Sequence, residues 1–246
     1  MKLLNELYIQ LYSVRDILWD NYEDTFKKLG NKGMGYTGFE FAGYGGIDAG
    51  TIKKAMEDNG LRAISCHCYI DNLVESLDEE IDYAKKLGAE YIVCSMSPME
   101  TRDDAITAAK KLTPACEKIV AAGLKFGYHN HAHEFVVDGG EYLLDILFDN
   151  LPPEAIMQLD IYWSELAKVD SFAYMEKNQK RLELMHIKQI GKNGENAEVA
   201  KGLINFAEVI SKAKELGVKH FILEQEEYEE SSLKSAENAI NYLKGL

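Results

Sequence analysis

Cysteine is scarce in this sequence of 246 residues: four occur, and no two of them form a CxxC pair. That absence argues against a metal–thiolate site. Cys66 and Cys68 flank His67 in an apolar run. This pattern is typical either of a metal–thiolate site or, as we favour, of two small core residues on one face of a strand. We predict reduced thiols and a cytoplasmic protein.

Positive charge is also in short supply, with 27 Lys and Arg against 41 Asp and Glu and a net charge of −14. Such a balance repels phosphate backbones and anionic membranes, so neither nucleic acid nor a membrane is an expected partner. An anionic sugar is still compatible with this net charge as a substrate, because one lysine in the site can outweigh the negative electrostatic field of the whole protein there. Long apolar runs are missing too: no window approaches a membrane span, and the N-terminal stretch lacks a secretory h-region.

A repeated phrase is what the sequence does contain: an amphipathic helix that ends in glycine, followed by a short apolar run. The helices end at Gly30, Gly60, Gly88, Gly123 and Gly217. Glycine is favoured just beyond a helix because it adopts the left-handed conformation without a Cβ penalty. The apolar runs finish in polar residues and do not alternate, which is typical of buried parallel strands.

Eight such units are predicted. The expected strands lie near residues 5–12, 36–42, 61–67, 90–95, 124–131, 154–160, 182–188 and 219–225. The expected helices lie near residues 17–29, 49–59, 72–87, 102–122, 141–149, 170–178, 205–216 and 232–244. Eight units in this length indicate a single (β/α)₈ barrel domain over residues 1–246. An open doubly wound sheet is the alternative, but it would leave two edge strands among runs that all look buried.

Polar residues collect where the strands are predicted to end, which is where a (β/α)₈ barrel builds its active site. They are Gln10, Tyr12, Arg15, Glu40, His67, His129, Asn130, His131, His133, Glu134, Asp160, Trp163, His186, Lys188, Gln189, Glu224 and Glu226. Five of the six histidines belong to this set. Each residue alone has a plain structural explanation, such as a helix cap for Asp160 or a solvated acidic loop for Glu224. Taken together, the carboxylates and imidazoles indicate a site for Mn²⁺, Co²⁺, Zn²⁺ or Mg²⁺.

Six segments of the chain resemble the motifs of one known family. They are QLYSVRD (10–16), GYTGFEF (35–41), YHNHAHEF (128–135), QLDIYW (158–163), HIKQ (186–189) and ILEQEEY (222–228). Together they resemble the xylose-isomerase-like sugar phosphate isomerase/epimerase superfamily, and the histidine-rich fifth strand resembles the inosose dehydratase subgroup. The resemblance implies a TIM barrel that holds a divalent metal with side chains from strands five to eight.

Carried over position by position, the resemblance puts Asp160, His186 and Glu224 at the metal positions of strands six, seven and eight. Strand five leaves two choices, because epimerases have Glu where this chain has His129. We assign the fourth ligand to Glu134 and keep His129 as the alternative. The position after the HxK of strand seven, usually Asp, is Gln189 here, so the resemblance assigns it no role.

The remaining members of the polar set are assigned to substrate. We predict that Glu40, His67, His129, Trp163 and Lys188 bind it. His129 and His131 point to the same face of their strand, since side chains alternate along a strand. We therefore predict that His131 is an acid/base group, and that Glu134 and Glu224 take part in catalysis.

The family chemistry implies proton abstraction next to a carbonyl through an enediolate. We expect a metal-dependent isomerase or epimerase of a ketose or keto-polyol, with that small molecule as its partner. Two alternative functions stay open: a dehydratase of a keto-sugar or keto-inositol, and a non-catalytic carbohydrate-binding or ancillary barrel. The sequence is also compatible with a homo-oligomer. The acidic charge argues against an endonuclease.

Overall fold

The computed structural model describes residues 3–246 and forms a closed barrel of eight parallel strands in sequential order. The strands are β1 (Tyr8–Gln10), β2 (Gly38–Ala42), β3 (Arg62–Cys68), β4 (Tyr91–Cys94), β5 (Lys125–His129), β6 (Ile156–Asp160), β7 (Leu182–Ile187) and β8 (His220–Leu223). β1 pairs with both β2 and β8, which closes the barrel. The predicted (β/α)₈ fold is therefore confirmed, and the open sheet is wrong.

Ten helices connect the strands over the described residues. They are α1 (Tyr22–Leu29), α2 (Ala49–Asp58), α3 (Ile70–Glu75), α4 (Leu77–Leu87), α5 (Arg102–Ala121), α6 (Leu143–Asn150), α7 (Ile161–Leu166), α8 (Ser171–Asn178), α9 (Phe206–Glu215) and α10 (Ser232–Lys244). The predicted helix 72–87 is split, because Ser76 has a non-helical backbone (φ −132°, ψ 29°). Within residues 3–246, no helix has both the length and the apolar character that crossing a membrane requires.

Helix-terminal glycines connect the helices to the strands as the sequence predicts, with one exception. Gly88 takes the left-handed conformation (φ 81°) at the end of α4. Gly30 after α1 has a negative φ of −68°. A glycine is required at position 30 for a different reason: a Cβ there would lie 2.5 Å from the carbonyl oxygen of Asn59.

An apolar plug fills the amino-terminal half of the barrel interior. It consists of Tyr8, Ile64, Tyr91, Val93, Ile156, Leu184 and Ile222. Because side chains alternate along a regular strand, a residue two positions after a plug residue also faces the interior and lies one layer higher. His186 follows Leu184 in this way, and Glu224 follows Ile222. The plug thus forms the floor beneath a polar layer at the carboxyl ends of the strands.

A charged cluster stabilises the opposite, amino-terminal end of the barrel. The Glu183 carboxylate accepts a hydrogen bond from the Tyr91 hydroxyl (2.8 Å). It also contacts the ammonium groups of Lys125 (2.6 Å) and Lys219 (2.9 Å). Burial opposes ionisation of this carboxyl, but the hydrogen bonds from both lysines and Tyr91 outweigh it and lower the Glu183 pKa.

Replacing Glu183 with glutamine should lower the free energy of unfolding by about 1–2 kcal/mol at neutral pH. A depressed carboxyl pKa contributes stability above the unfolded-state pKa of about 4.3, and that contribution is lost as the pH falls through the folded-state value. The difference between Glu183→Gln and the unchanged protein should therefore shrink below about pH 4. Urea unfolding at neutral and acidic pH measures it, and a difference that is the same at both would contradict the assignment.

Candidate active site

Four ionisable side chains converge at the carboxyl ends of β5 to β8: His129, Asp160, His186 and Glu224. Asp160 Oδ2 lies 3.6 Å from both His129 Nε2 and His186 Nδ1. His186 Nδ1 lies 3.3 Å from Glu224 Oε2. One ligand atom from each of the four residues lies within 4.8 Å of all the others, and all four residues are buried. Four consecutive strands thus each deliver one donor atom to a single point.

Two of the four donor atoms are buried without a hydrogen-bond partner: His129 Nε2 and Asp160 Oδ2. His129 Nδ1 contacts the carbonyl oxygen of Ser95 at 3.2 Å, so Nδ1 donates and Nε2 is left with a free lone pair. Asp160 Oδ1 accepts from the backbone N–H of Tyr162 and Trp163 and caps α7, while Oδ2 faces the cluster. Buried polar atoms in folded proteins nearly always have partners, so this pair indicates a ligand.

His186 is oriented from below by Glu40. His186 Nε2 lies 2.6 Å from Glu40 Oε1, and this contact turns Nδ1 towards Asp160 and Glu224. The Glu40 carboxylate also accepts hydrogen bonds from Gln10 (2.9 Å), Ser65 (2.5 Å) and Gln158 (2.7 Å), and Glu40 has no exposed surface. The structure therefore places Glu40 beneath the cluster and not in the predicted substrate-binding position, because it lies two residues before the end of β2.

The charges in the cluster support one another. Burial alone would lower the pKa of His186, but the carboxylates of Glu40, Asp160 and Glu224 outweigh it and hold that pKa well above its usual value. Burial likewise opposes ionisation of Glu224, yet Lys188 and His186 hold its pKa well below the usual range. The carboxylates of the cluster are thus held ionised, while burial lowers the pKa of the His129 imidazole beside them.

This donor set fits a divalent cation. Ligands about 2.1 Å from one tetrahedrally coordinated ion are ~3.4 Å apart, close to the separations of 3.3–3.6 Å between neighbouring donors here. Two imidazole nitrogens and two carboxylate oxygens are ligands that Zn²⁺, Mn²⁺ and Co²⁺ accept. With a cation bound by His186, Glu40 would be the outer carboxylate that usually orients a metal-binding histidine.

A cavity of about 450 Å³ opens above the cluster, within the usual range for small-molecule sites. It is lined by Gln10, Tyr12, Ala42, Gly43, Tyr44, His67, Cys68, Tyr69, Asn72, Glu80, Ser95, Met96, His129, His131, Glu224 and Glu226. Two of the four cluster residues, His129 and Glu224, therefore face it directly. His67 lies beside them, held at its Nε2 by Gln158 (2.6 Å) and Glu40 (3.0 Å).

His131 stands on the cavity wall next to the cluster. Its ring centroid lies 5.0 Å from that of His129 and 5.1 Å from that of Trp163. Burial lowers the pKa of His131 to about 3, and the neighbouring His129 ring adds to this effect. Its Nδ1 is buried without a hydrogen-bond partner. The imidazole is thus neutral at pH 7 and has a ring nitrogen available for a proton.

The structure separates Lys188 and Trp163 from the cavity wall, although both were predicted to bind substrate. The Lys188 side chain is fully buried, with its ammonium group 3.3 Å from Glu224 Oε2 and also bonded to Glu226. It lies over the rings of Trp163 (4.6 Å) and Tyr162 (5.1 Å). Lys188 is therefore placed to hold the two glutamates, and Trp163 covers it.

Glu134, our predicted fourth ligand, lies outside the cluster. Its carboxylate accepts hydrogen bonds from the Tyr128 hydroxyl (3.0 Å) and the backbone N–H of His131 (2.8 Å). Residues 133–135 form a 3₁₀ turn after β5, so the strand alternation does not extend to Glu134. His129, the last residue of β5, occupies the strand-five place instead.

The cysteines are core residues in this structure. Cys66 and Cys68 are both buried free thiols, and burial raises the pKa of Cys66 to about 12. Neither belongs to a group of potential metal ligands within residues 3–246.

A family model for the xylose isomerase-like TIM barrel matches residues 31–246. The chain belongs to this family. The resemblance drawn from the sequence motifs is thereby confirmed at the level of the xylose isomerase-like family, and the inosose dehydratase subgroup stays a prediction. The chain matches no curated protein sequence.

Solved structures of the xylose isomerase-like barrel type superpose on most of the chain. Two structures described as sugar phosphate isomerase/epimerase from Parabacteroides distasonis ATCC 8503 are each 25% identical. One has a TM-score of 0.83 and covers 97% of this chain and 93% of its own. The other has a TM-score of 0.85 and covers 96% of each. The IOLI protein, solved with a zinc atom, has a TM-score of 0.72 at 11% identity, over 96% of this chain and 95% of its own, and shows the shared fold alone.

Two site residues were given no role by the sequence analysis, although Gln158 opens the QLDIYW motif. Gln158 bridges Glu40 and His67, but an amide two residues before a strand end looks like any other barrel-interior residue. Glu80 reaches the cavity from α4, within an acidic helix start that is typical of a solvent-exposed face. Strand-end reasoning does not find a helical residue of this kind.

Proposed function

We propose that this protein is a metal-dependent isomerase or epimerase that acts on a ketose or keto-polyol by removing a proton next to a carbonyl. The observation that carries the proposal is the meeting of His129, Asp160, His186 and Glu224 with two buried donor atoms left unpartnered. The family and its sugar isomerase/epimerase neighbours support the same class of substrate.

The four cluster residues would hold the cation, with His129 in place of the Glu134 that the sequence suggested. When bound, a divalent cation polarises a carbonyl oxygen as a Lewis acid, which acidifies the neighbouring C–H. Glu40 keeps Nδ1 of His186 aimed at the cluster. Glu134 has a supporting role, because its bond to the His131 backbone fixes the turn that follows β5.

Proton transfer falls to His131 and Glu224, which both line the cavity. Glu224 belongs to the cluster, and the His131 ring lies beside that of His129. The neutral imidazole of His131 accepts the proton from the α-carbon, and the Glu224 carboxylate serves the other side of the reacting centre. Lys188 holds Glu224 in place and ionised through the 3.3 Å contact. Return of that proton from His131 to the neighbouring carbon isomerises. Epimerisation instead takes a proton from water, relayed through the Glu224 carboxylate to the opposite face, while His131 releases its own proton to solvent.

Metal analysis and proton NMR in D₂O together test this function. The purified protein should bind about one divalent ion per chain and should exchange the α-proton of at least one member of a panel of ketoses and keto-inositols for deuterium. The product then separates epimerisation and isomerisation from dehydration. Metal binding without exchange on any panel member would favour the non-catalytic barrel.

The strand-five assignment is tested by two matched substitutions. His129→Gln should weaken metal affinity by more than ~100-fold, since loss of an outer partner alone costs about 10–100-fold. Glu134→Gln should leave metal affinity within about tenfold, because its carboxylate bonds to Tyr128 and His131 instead. Calorimetric titration with Zn²⁺ measures both, and the reverse order would restore Glu134 as the ligand.

A further inference from the structure

The cavity wall contains three carboxylates and no lysine or arginine among the described residues that line it. The carboxylates are Glu80, Glu224 and Glu226. Lys188 is the cation buried beneath them, and its ammonium group is already bonded to Glu224 and Glu226. A phosphate group entering this space would find carboxylates and no free cationic side chain.

Arg15 lies behind the rim and is also engaged. Its guanidinium donates to the Tyr228 hydroxyl (2.8 Å) and to the backbone oxygens of Glu226 (2.9 Å) and Tyr12 (3.0 Å). It lies 4.2 Å from the centroid of the Tyr12 ring. Arg15 thus supports one face of Tyr12 from outside the cavity.

Two exposed tyrosines flank the mouth of the same cavity. Tyr12 follows β1 and is 44% exposed, and Tyr69 follows β3 and is 62% exposed. Both are large aromatic side chains, and both line one concave site. Aromatic faces of this kind suit the C–H face of a sugar ring.

The cavity wall between the mouth and the cluster is polar, and contacts between side chains hold it in place. The Tyr44 ring stacks on Tyr83 at 3.8 Å, and the Tyr44 hydroxyl donates to Glu80 Oε2 at 3.0 Å. Asn72 Nδ2 and Cys68 Sγ, each 3.3 Å from Glu80, hold the same carboxylate. This wall offers fixed acceptors for sugar hydroxyl groups beyond the reacting ring.

We propose that the substrate is an uncharged glycoside, a keto-sugar that carries no phosphate and whose second ring rests against Tyr12 and Tyr69. The inference rests on the proposed function for the identity of the reacting ring. Outside the four-residue cluster the cavity wall offers carboxylates and no lysine or arginine, which disfavours a phosphate on the substrate, and the exposed tyrosines with the Glu80 wall bind the second ring.

Binding of stable sugars tests the proposal without turnover. Dissociation constants are measured by calorimetry or NMR titration on the Zn²⁺-loaded protein for glucose, glucose 6-phosphate, cellobiose and maltose, and for the galactose–galactobiose and mannose–mannobiose pairs. At least one disaccharide should bind tenfold or more tightly than its monosaccharide, and glucose 6-phosphate should bind less tightly than glucose. A smaller advantage for every disaccharide, or tighter binding of the phosphate, would overturn the proposal.

Rim variants locate the second ring. Tyr12→Ala and Tyr69→Ala should each weaken disaccharide binding at least fivefold and leave monosaccharide binding within twofold, whereas Tyr69→Phe should retain the disaccharide advantage. Phe172→Ala, which removes another exposed aromatic ring away from the cavity, is the control and should change neither. Equal losses for both sugars in the rim variants would contradict the assignment.

Deuterium exchange into single-ring ketoses, followed in the same preparations, keeps the two proposals separate. Exchange with no disaccharide preference would leave the proposed function standing and reject the glycoside. A disaccharide preference without exchange on any ketose would reject the enzyme and leave a glycoside-binding barrel.

Discussion

Replacing Asp160 with asparagine is expected to weaken divalent-metal affinity by more than ~100-fold and to remove α-proton exchange, while the barrel stays folded. The substitution is selective because the two carboxylate oxygens have separate roles. Oδ1 accepts the N–H groups that begin α7, and Oδ2 faces the cluster without a partner. An asparagine oxygen in the Oδ1 position keeps the cap, and its NH₂ group cannot serve as a ligand.

Asp160→Ala is the matched comparison, since it removes both the cap and the ligand atom. It should lose metal binding as the asparagine variant does, and also lose about 1 kcal/mol of stability as the helix cap disappears. Calorimetric metal titration and thermal unfolding of both variants separate the two effects. Full metal affinity in Asp160→Asn would show that Asp160 is not a ligand and would contradict the assignment.

Replacing His131 with asparagine should reduce α-proton exchange by roughly 10²-fold or more, with metal affinity within about tenfold of the unchanged protein. His131 lines the cavity, is neutral at pH 7 and has a buried Nδ1 without a partner. Its ring does not belong to the four-residue ligand group, so the cation site should remain. Exchange in D₂O at saturating metal measures the loss.

His133→Asn is the matched control, because it removes a neighbouring imidazole that does not line the cavity. His133 Nε2 contacts the carbonyl oxygen of Ser97 at 3.1 Å. Exchange should fall by less than about threefold in this variant. Equal losses in the two variants would mean that the turn after β5 matters as a unit and that His131 is not the proton acceptor.

The barrel could be predicted from the sequence because one unit, a helix followed by a glycine and a buried strand, repeats along the chain. Buried parallel runs, helix-terminal glycines and polar strand ends all pointed to the same architecture, and each of the eight strands overlaps its predicted range. Strand alternation also brought His186 and Glu224 to the barrel interior, two residues beyond apolar plug residues.

The sequence did not reveal how deep each polar side chain lies along the barrel axis. Glu40 was grouped with the rim residues, yet it lies two residues before the end of β2 and is fully buried beneath His186. Lys188 follows β7 and was expected at the rim, but Glu226 and the Trp163 ring enclose its ammonium group. Packing against neighbouring elements decides how deep each side chain lies, and the sequence pattern of a single strand contains no information about those neighbours.

Irregular backbone explains the difference at strand five. The alternation that places His129 in the interior stops where β5 stops, and the 3₁₀ turn at 133–135 returns the Glu134 carboxylate to the backbone of His131. A motif match cannot distinguish these two candidate ligands, because both lie within one short segment. In the structure His129 belongs to the donor group with Asp160, His186 and Glu224, and Glu134 does not.

An anomalous-scattering map from crystals soaked in Mn²⁺ tests the central claim most directly. The account predicts one strong peak within coordination distance of His129 Nε2, Asp160 Oδ2, His186 Nδ1 and Glu224 Oε2. A second group of potential ligands within residues 3–246, formed by Glu40, His67 and His186, offers the rival position. A peak at that group, a peak at Glu134, or no peak in the barrel at all would contradict the account.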